Sequence, residues 1–299
     1  MSETTNKSDK ATNEPSENYG RPSSIEDKTN QYFVHPVSNL VVQLSIKLGL
    51  APNLISVLGL LCGFFAAYLY LFLPKTGFVI GAFAAMVCWH IFDGADGKLA
   101  RATGQASAFG RVIDGICDHL VFGAVYTALA FQMMVSGFPT SIWWLVIGAG
   151  LSHALQSASY EERRQKFQRR HSGTQRDAIA EKLLNVEGKQ SILAVTYNSL
   201  QKFAAGRNSI LDEKLQDLAN DKKKLTEVVN KTAPMVKLWG LLNANNRTIL
   251  IFIAAILNQP ILYFVIEVTL LNFILIGLII YEQSFDEKLA HPLDTYKSA

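Results

Sequence analysis

A series of uncharged apolar runs, several of them close to the length of a bilayer crossing, constrains this chain more than any other feature. A bilayer core takes roughly 20 apolar residues per helix. The stretch Leu54 to Leu73 meets that requirement without a single charge. Pro74 and Lys75 interrupt it, and Gly77 to Phe92 is apolar again. Further runs cover Leu120 to Val135, Ile142 to Leu155, Thr248 to Leu257 and Ile261 to Tyr281. Unpaired backbone groups are too costly in hydrocarbon, so each run is expected to be a helix. The expected fold is all-α integral membrane with six transmembrane helices, the fifth being the weakest.

Charge placement orients these spans. With the N-terminus inside, the outer connections are Pro74 to Thr76, Ser136 to Thr140 and Asn258 to Pro260, and Lys75 is their only basic residue. The inner segments carry Lys98, Arg101, Arg111, Arg163, Arg164, Lys166, Arg169 and Arg170. This positive-inside bias predicts a multi-pass membrane protein with both termini cytoplasmic, in the cell inner membrane if the host is bacterial. The formal net charge of +3 is too small to argue for nucleic acid as a partner. The cysteines, Cys62, Cys88 and Cys117, lie in apolar runs and form no CxxC pair, which argues against a zinc or disulfide framework.

Outside the spans the sequence divides further. Residues 1–31 are polar, lack the apolar core of a secretory leader, and read as a disordered tail. Residues 32–155 hold the first four spans, preceded by a segment, Pro36 to Leu50, with apolar residues at helical spacing. Val37, Leu40, Val41, Leu44, Ile46, Leu48 and Leu50 give it a broad apolar side, as expected of an N-terminal interfacial helix. Residues 156–235 read as a cytoplasmic helical insert. It opens on the basic cluster Arg163 to Arg170, and Ile179, Leu183, Leu184, Val186, Ile210, Leu211, Leu215, Leu218 and Leu225 recur among charged residues. That cluster suits anionic lipid headgroups or ordinary positive-inside flanking. Residues 236–283 hold the last two spans, and 284–299 a C-terminal tail.

The residues that carry chemistry begin at Asp93. Asp93 and Asp96 are spaced to share one helical face, and Asp114 and Asp118 share a face of the next helix. The short polar connection Thr103 to Ser107 brings the two faces together near the cytoplasmic boundary. Four carboxylates gathered at a membrane level repel one another and are costly to desolvate, so something positive must compensate. An all-oxygen donor set suits a hard ion such as Mg2+ or Mn2+, and magnesium is usually completed by substrate phosphates. Two ions sharing a carboxylate are one known arrangement for displacement at phosphorus. Gly94, Gly97 and Gly110 permit close approach, Arg101 offers a fork to phosphate, and Lys98 offers a point charge.

The pattern D-x2-D-G-x2-A-R-x8-G-x3-D-x3-D, carried by Asp93, Asp96, Gly97, Ala100, Arg101, Gly110, Asp114 and Asp118, resembles the signature of the CDP-alcohol phosphotransferase family. Pro52-Asn53-Leu54-Ile55-Ser56 is similar to the family's Pro-Asn-x-x-Thr start of the first span, with Ser56 in place of threonine. The resemblance implies six transmembrane helices, a surface helix before them and a homodimer. It implies that Asp93, Asp96 and Asp114 are metal ligands, with Asp114 bridging two ions. Asp118 would touch one ion and act as the catalytic general base. Gly97, Arg101 and Asn53 would hold the cytidine diphosphate.

The same resemblance implies transfer from a CDP-activated lipid donor to an alcohol acceptor, in membrane lipid, with release of CMP. The preferred donor is CDP-diacylglycerol. CDP-choline or CDP-ethanolamine acting on diacylglycerol is the alternative within this chemistry. Enzymes resembling inositol-phosphate transferases tend to carry Arg after the last aspartate, where this chain has His119. A different class, an ion- or proton-coupled transporter, would draw on Glu267 within the last span. The bland role for Glu267 is a hydrogen bond between helices involving Asn272.

Overall fold

The computed structural model describes residues 24–106, 108–172, 209–218 and 221–296. Every regular element among them is helical. Helix α1 (His35–Leu48) follows a π-turn at Asn30–Val34 and stops at Gly49, whose φ of 66° is open to glycine at little cost. Helix α2 (Pro52–Tyr70) starts after extended Ala51, with Pro52 in the first turn where its missing N–H costs nothing. Then come α3 (Thr76–Ala102), α4 (Ala108–Val135) and α5 (Ile142–Ser172). Three short helices follow: α6 (Ile210–Asp217), α7 (Lys222–Asn230) and α8 (Ala233–Trp239). The chain closes with α9 (Ala244–Ile256), α10 (Pro260–Val268) and α11 (Leu270–Ala290).

Among the described residues, four stretches are long and apolar enough to cross a membrane: Pro52–Tyr70, Thr76–Ala102, Asp114–Val135 and Pro260–Leu293. The remaining two expected spans differ for separate reasons. Helix α9 has 13 residues, which is about 20 Å at 1.5 Å per residue and shorter than a hydrocarbon core of about 30 Å. Helix α5 passes from its apolar half into charged residues without a break, crossing Gln156, where the sequence suggests a boundary.

Helices α2, α3 and α4 form the tightest part of the bundle. Glycines let them approach. A Cβ on Gly59 would lie 3.2 Å from Phe92 Cβ, and one on Gly63 only 2.4 Å from Val121 Cγ2. Around them Tyr70, Met86, Trp89, Val121, Phe122 and Tyr126 share a core with Ile251, Tyr263 and Phe264 of α9 and α10.

A second, smaller core gathers Leu211, Leu215, Leu225, Val228 and Val229 of α6 and α7 on Phe167 of α5 and Ala290 of α11. Much of the expected insert, including Ile179 to Val186, lies outside the described residues, as do positions 1–23 of the expected tail. Positions 24–31 are described, and Ile25 is buried in this second core. Asp27 Oδ2 accepts from Asn243 Nδ2 at 2.8 Å. The basic cluster of α5 is taken up by acids. Arg163 meets Glu282 at 2.9 Å, and Arg170 meets Asp286 at 2.9 Å and Asp212 at 2.7 Å. Lys166 reaches Asp286 at 3.4 Å. These charges join α5 to α6 and α11.

Candidate active site

The two acid-bearing turns expected from the sequence do converge. Asp93 and Asp96 stand on the last turns of α3, and Asp114 and Asp118 on the facing part of α4. The connection reverses through Gly104, with φ 69°. Asp93 lies close enough to Asp118, Asp114 and Asp96 to feel their charge, and Asp96 close enough to feel that of Asp114. Carboxyl groups this close need a cation or a shared proton between them. One oxygen of Asp118, Oδ1, is buried with no hydrogen-bond partner. Among the described residues, no three His, Cys, Asp or Glu side chains form a ready-made metal cluster. An all-oxygen set with an orphaned buried acceptor fits a hard divalent cation.

Helix α2 supplies the third wall. Ser56 donates its hydroxyl to Asp96 Oδ2, so the start of α2 points at the acids. Asn53 stands one turn earlier on the same face and is exposed. Arg101 acts electrostatically on Asp96, and its Nη1 is 3.4 Å from where a Gly97 Cβ would be. A side chain at Gly97 would press on that guanidinium. The structure therefore groups Asp93, Asp96, Asp114, Asp118, Gly97 and Arg101 at one end of the bundle, with Asn53 at its edge.

Lys98 departs from the expectation. The sequence offers it as a point charge for phosphate, yet it is buried, 3% exposed, and turned toward α1. Its Nζ donates to Asn39 Oδ1 at 2.8 Å and to Ser38 Oγ at 3.0 Å. The reason is helical phase: Lys98 is two residues past Asp96, so it points to a different side of α3.

His119 is exposed, and its Nδ1 lies 2.6 Å from Gly115 O. The carbonyl can only accept, so Nδ1 carries the hydrogen. The ring stacks on buried His153 with centroids 5.8 Å apart.

Glu267 is fully buried and committed. Arg247 Nε lies 3.3 Å from Glu267 Oε2, and Tyr263 donates to the same oxygen at 2.9 Å. Gln156 Oε1 accepts from Arg247 at 2.6 Å, and Gln156 Nε2 donates to Asn272 Oδ1 at 2.9 Å. Tyr263 also hydrogen-bonds Tyr126, whose hydroxyl is 2.9 Å from His153 Nδ1. Sequence reasoning names Glu267 and Asn272 but misses Arg247. The signal is a cation at the edge of one apolar run and an acid inside the next.

Residues 49–182 match the family model described as CDP-alcohol phosphatidyltransferase. A phosphatidylinositol phosphate synthase of Corynebacterium glutamicum is 31% identical over 132 residues, covering 44% of this chain and 52% of that protein. One from Mycobacteroides abscessus is 29% identical over 114 residues, 38% of this chain and 45% of that protein. A bifunctional IPC transferase and DIPP synthase of Aquifex aeolicus is 34% identical over 85 residues, 28% and 19% of the two chains. The chain thus spans about half the length of the first curated relatives it matches. The matched interval contains α2, α3, α4 and α5 and every residue of the acid motif, so this stretch of the chain is similar to the CDP-alcohol phosphatidyltransferase family.

Proposed function

We propose that the protein is a membrane phosphotransferase that moves a phosphatidyl group from CDP-diacylglycerol to an alcohol and releases CMP. The observation that carries this reading is the meeting of Asp93, Asp96, Asp114 and Asp118 at one end of α3 and α4, with Ser56 of α2 bound to Asp96. Asp93, Asp96, Asp114 and Asp118 would hold Mg2+ or Mn2+, two ions by the family pattern. When bound, such ions neutralise pyrophosphate charge and acidify a nearby hydroxyl. Arg101 places a guanidinium on the diphosphate, Gly97 leaves room for it, and Asn53 closes the nucleotide edge. Asp118 accepts the proton of the acceptor hydroxyl. The hydroxyl oxygen attacks the phosphatidyl phosphorus, the bond from that phosphorus to the CMP oxygen breaks, and CMP departs with the electron pair.

Six membrane helices complete this reading, with α9 and the first half of α5 as the two shorter spans, α1 at the surface and both termini cytoplasmic. The bias of basic residues toward the inner segments supports that orientation. A homodimer in the membrane belongs to the same reading. Inositol phosphate heads the acceptors to be tried, because relatives carry that synthase's name. His119 in place of Arg makes serine, glycerol phosphate and unphosphorylated inositol the necessary comparisons. Glu267, on which a transporter would depend, is bound by Arg247 and Tyr263 and serves the packing of helices.

The test uses purified protein in nanodiscs with magnesium, CDP-diacylglycerol and a panel of alcohols. Release of CMP with one alcohol, slowed at least about a hundredfold in Asp118→Asn, is expected. CDP-choline with diacylglycerol is run alongside. No CMP from any pairing in the wild-type protein would defeat the proposal.

A further inference from the structure

We propose that α8 and the turn after it, Gly240–Leu242, form a docking surface for anionic phospholipid, with Leu238 and Leu241 among the acyl chains and Lys237 at the headgroup phosphates. The surface lies outside the interval that matches the family model. It goes beyond the transfer reading and needs only that the chain spans a membrane.

The sequence divides this stretch into two faces. Pro234, Lys237, Leu238 and Leu241 follow the i, i+3, i+4, i+7 spacing of one helical side, and all four are exposed. Met235, Val236, Trp239 and Leu242 take the other side and are buried. Leu238 and Leu241 keep 39% and 48% of their surface open.

The buried side fixes how deep the exposed side lies. Met235, Trp239 and Leu242 share a core with Leu271, Leu275 and Leu278, which belong to the bilayer-length stretch Pro260–Leu293. The Arg163 guanidinium carbon is 4.1 Å from the Trp239 ring centre, and Arg163 Nε is 2.9 Å from Glu282 Oε2. Trp239 therefore stands level with the turn of α11 where apolar residues give way to Glu282 and Asp286. Ile280 and Tyr281 are exposed on that turn, and an exposed tyrosine between an apolar and a charged run marks the lipid–water boundary. Leu238 and Leu241 lie within a turn of Trp239, so they meet the bilayer at the same height. Helix α9 continues the lipid-facing side, with Ile249, Ile253 and Ile256 exposed along it.

The charge on this face selects the lipid. A lysine covers apolar surface with its stem and keeps its ammonium at the headgroups. Lys231, nearer the cytoplasm, is held by Glu227 at 2.9 Å. Lys237 is exposed beside the two leucines. A cation at that height draws an anionic phosphate, and the leucines next to it draw acyl chains. A soluble partner would match the leucines but not their continuity with α9.

The test uses the full chain in nanodiscs of phosphatidylcholine with phosphatidylglycerol. A photoactivatable group sits high on an acyl chain of a phosphatidylglycerol probe, or of a phosphatidylcholine probe at the same mole fraction, and adducts are mapped by peptide mass spectrometry. The peptide holding Lys237 to Leu241 should be labelled about fivefold more strongly by the phosphatidylglycerol probe, the preference that one cation near an anionic surface supports. Lys237→Gln should bring the two probes within about twofold of each other, with labelling around Tyr281 unchanged. In a second measurement, Leu238→Cys and Leu241→Cys carry a fluorophore in a background with Cys62, Cys88 and Cys117 replaced by alanine. Shallow spin-labelled lipid should quench both more than aqueous iodide does, and Lys223→Cys should show the reverse. Photolabelling of the unaltered chain stands if that background fails to fold. CMP release is not read, so failure of the transfer reading leaves this test in place. Equal labelling by the two probes, no adduct at Lys237 to Leu241, or iodide quenching at both leucine positions overturns the inference. So does shielding of both positions that is relieved on dilution into more nanodiscs, because the occupant is then a second copy of the chain.

Discussion

The carboxyl of Asp118 lies among the other acids of the site, and its Oδ1 is buried without a hydrogen-bond partner. A group so placed has little to do for stability and an acceptor position left to fill. A positioned general base contributes about a hundred- to ten-thousandfold to rate. Asp118→Asn keeps the shape and removes the proposed base, so kcat for CMP release should fall within that range while nanodisc titration still detects CDP-diacylglycerol binding. Ser56 acts one step away, by fixing Asp96 through its hydroxyl. Groups that orient a metal ligand are worth about ten- to a hundredfold in metal affinity or activity. Ser56→Ala should raise the magnesium concentration needed for half-maximal activity by about that factor, and Ser56→Thr should not. An unchanged magnesium profile in the alanine variant would remove Ser56 from the site.

At the scale of elements, the close crossing of α2 and α4 depends on Gly63. A methyl group there would overlap Val121 Cγ2, 2.4 Å from the new Cβ, and a valine side chain has no flexible end to swing away. Overpacking of this kind costs about 1–3 kcal/mol. Gly63→Ala should lower the thermal midpoint in detergent, and Val121→Ala added to it should recover part of the loss. If the two effects simply add, the helices do not meet there. The acid site is legible in the sequence because its information is local: spacings of three and four residues on α3 and α4, and a short reversal between them. The direction of Lys98 is not, since it depends on which side of α3 receives α1. The continuity of α5 is also hidden. A change from apolar to charged residues resembles a boundary, but backbone hydrogen bonds in a helix continue regardless of side-chain polarity. Ile25 reads as part of a polar tail because its partners, Leu211, Val229 and Ala290, are far away in sequence.

Over the whole molecule, the acid-bearing helices must be held to a C-terminal pair that contributes none of the motif. The polar chain from Arg247 through Glu267, Tyr263 and Tyr126 to His153 makes that attachment, crossing from α9 and α10 to α4 and α5. Arg247 is 1% exposed and Glu267 0%, so neither charge can turn to water if its partner is lost. Removing one side of a buried pair costs about 3–5 kcal/mol, whereas replacing both with apolar groups is often neutral or stabilising. Arg247→Met alone should therefore lower the unfolding temperature sharply, because the Glu267 carboxylate stays behind. Arg247→Met with Glu267→Leu should recover most of it, short of the hydrogen bonds that Tyr263 and Gln156 give up. The sign of the second step is decisive. A double variant less stable than the single one would mean that the charges are valued for more than joining the helices. The ion path of a transporter, which needs an acid that Arg247 does not hold, would then have an observation in its favour.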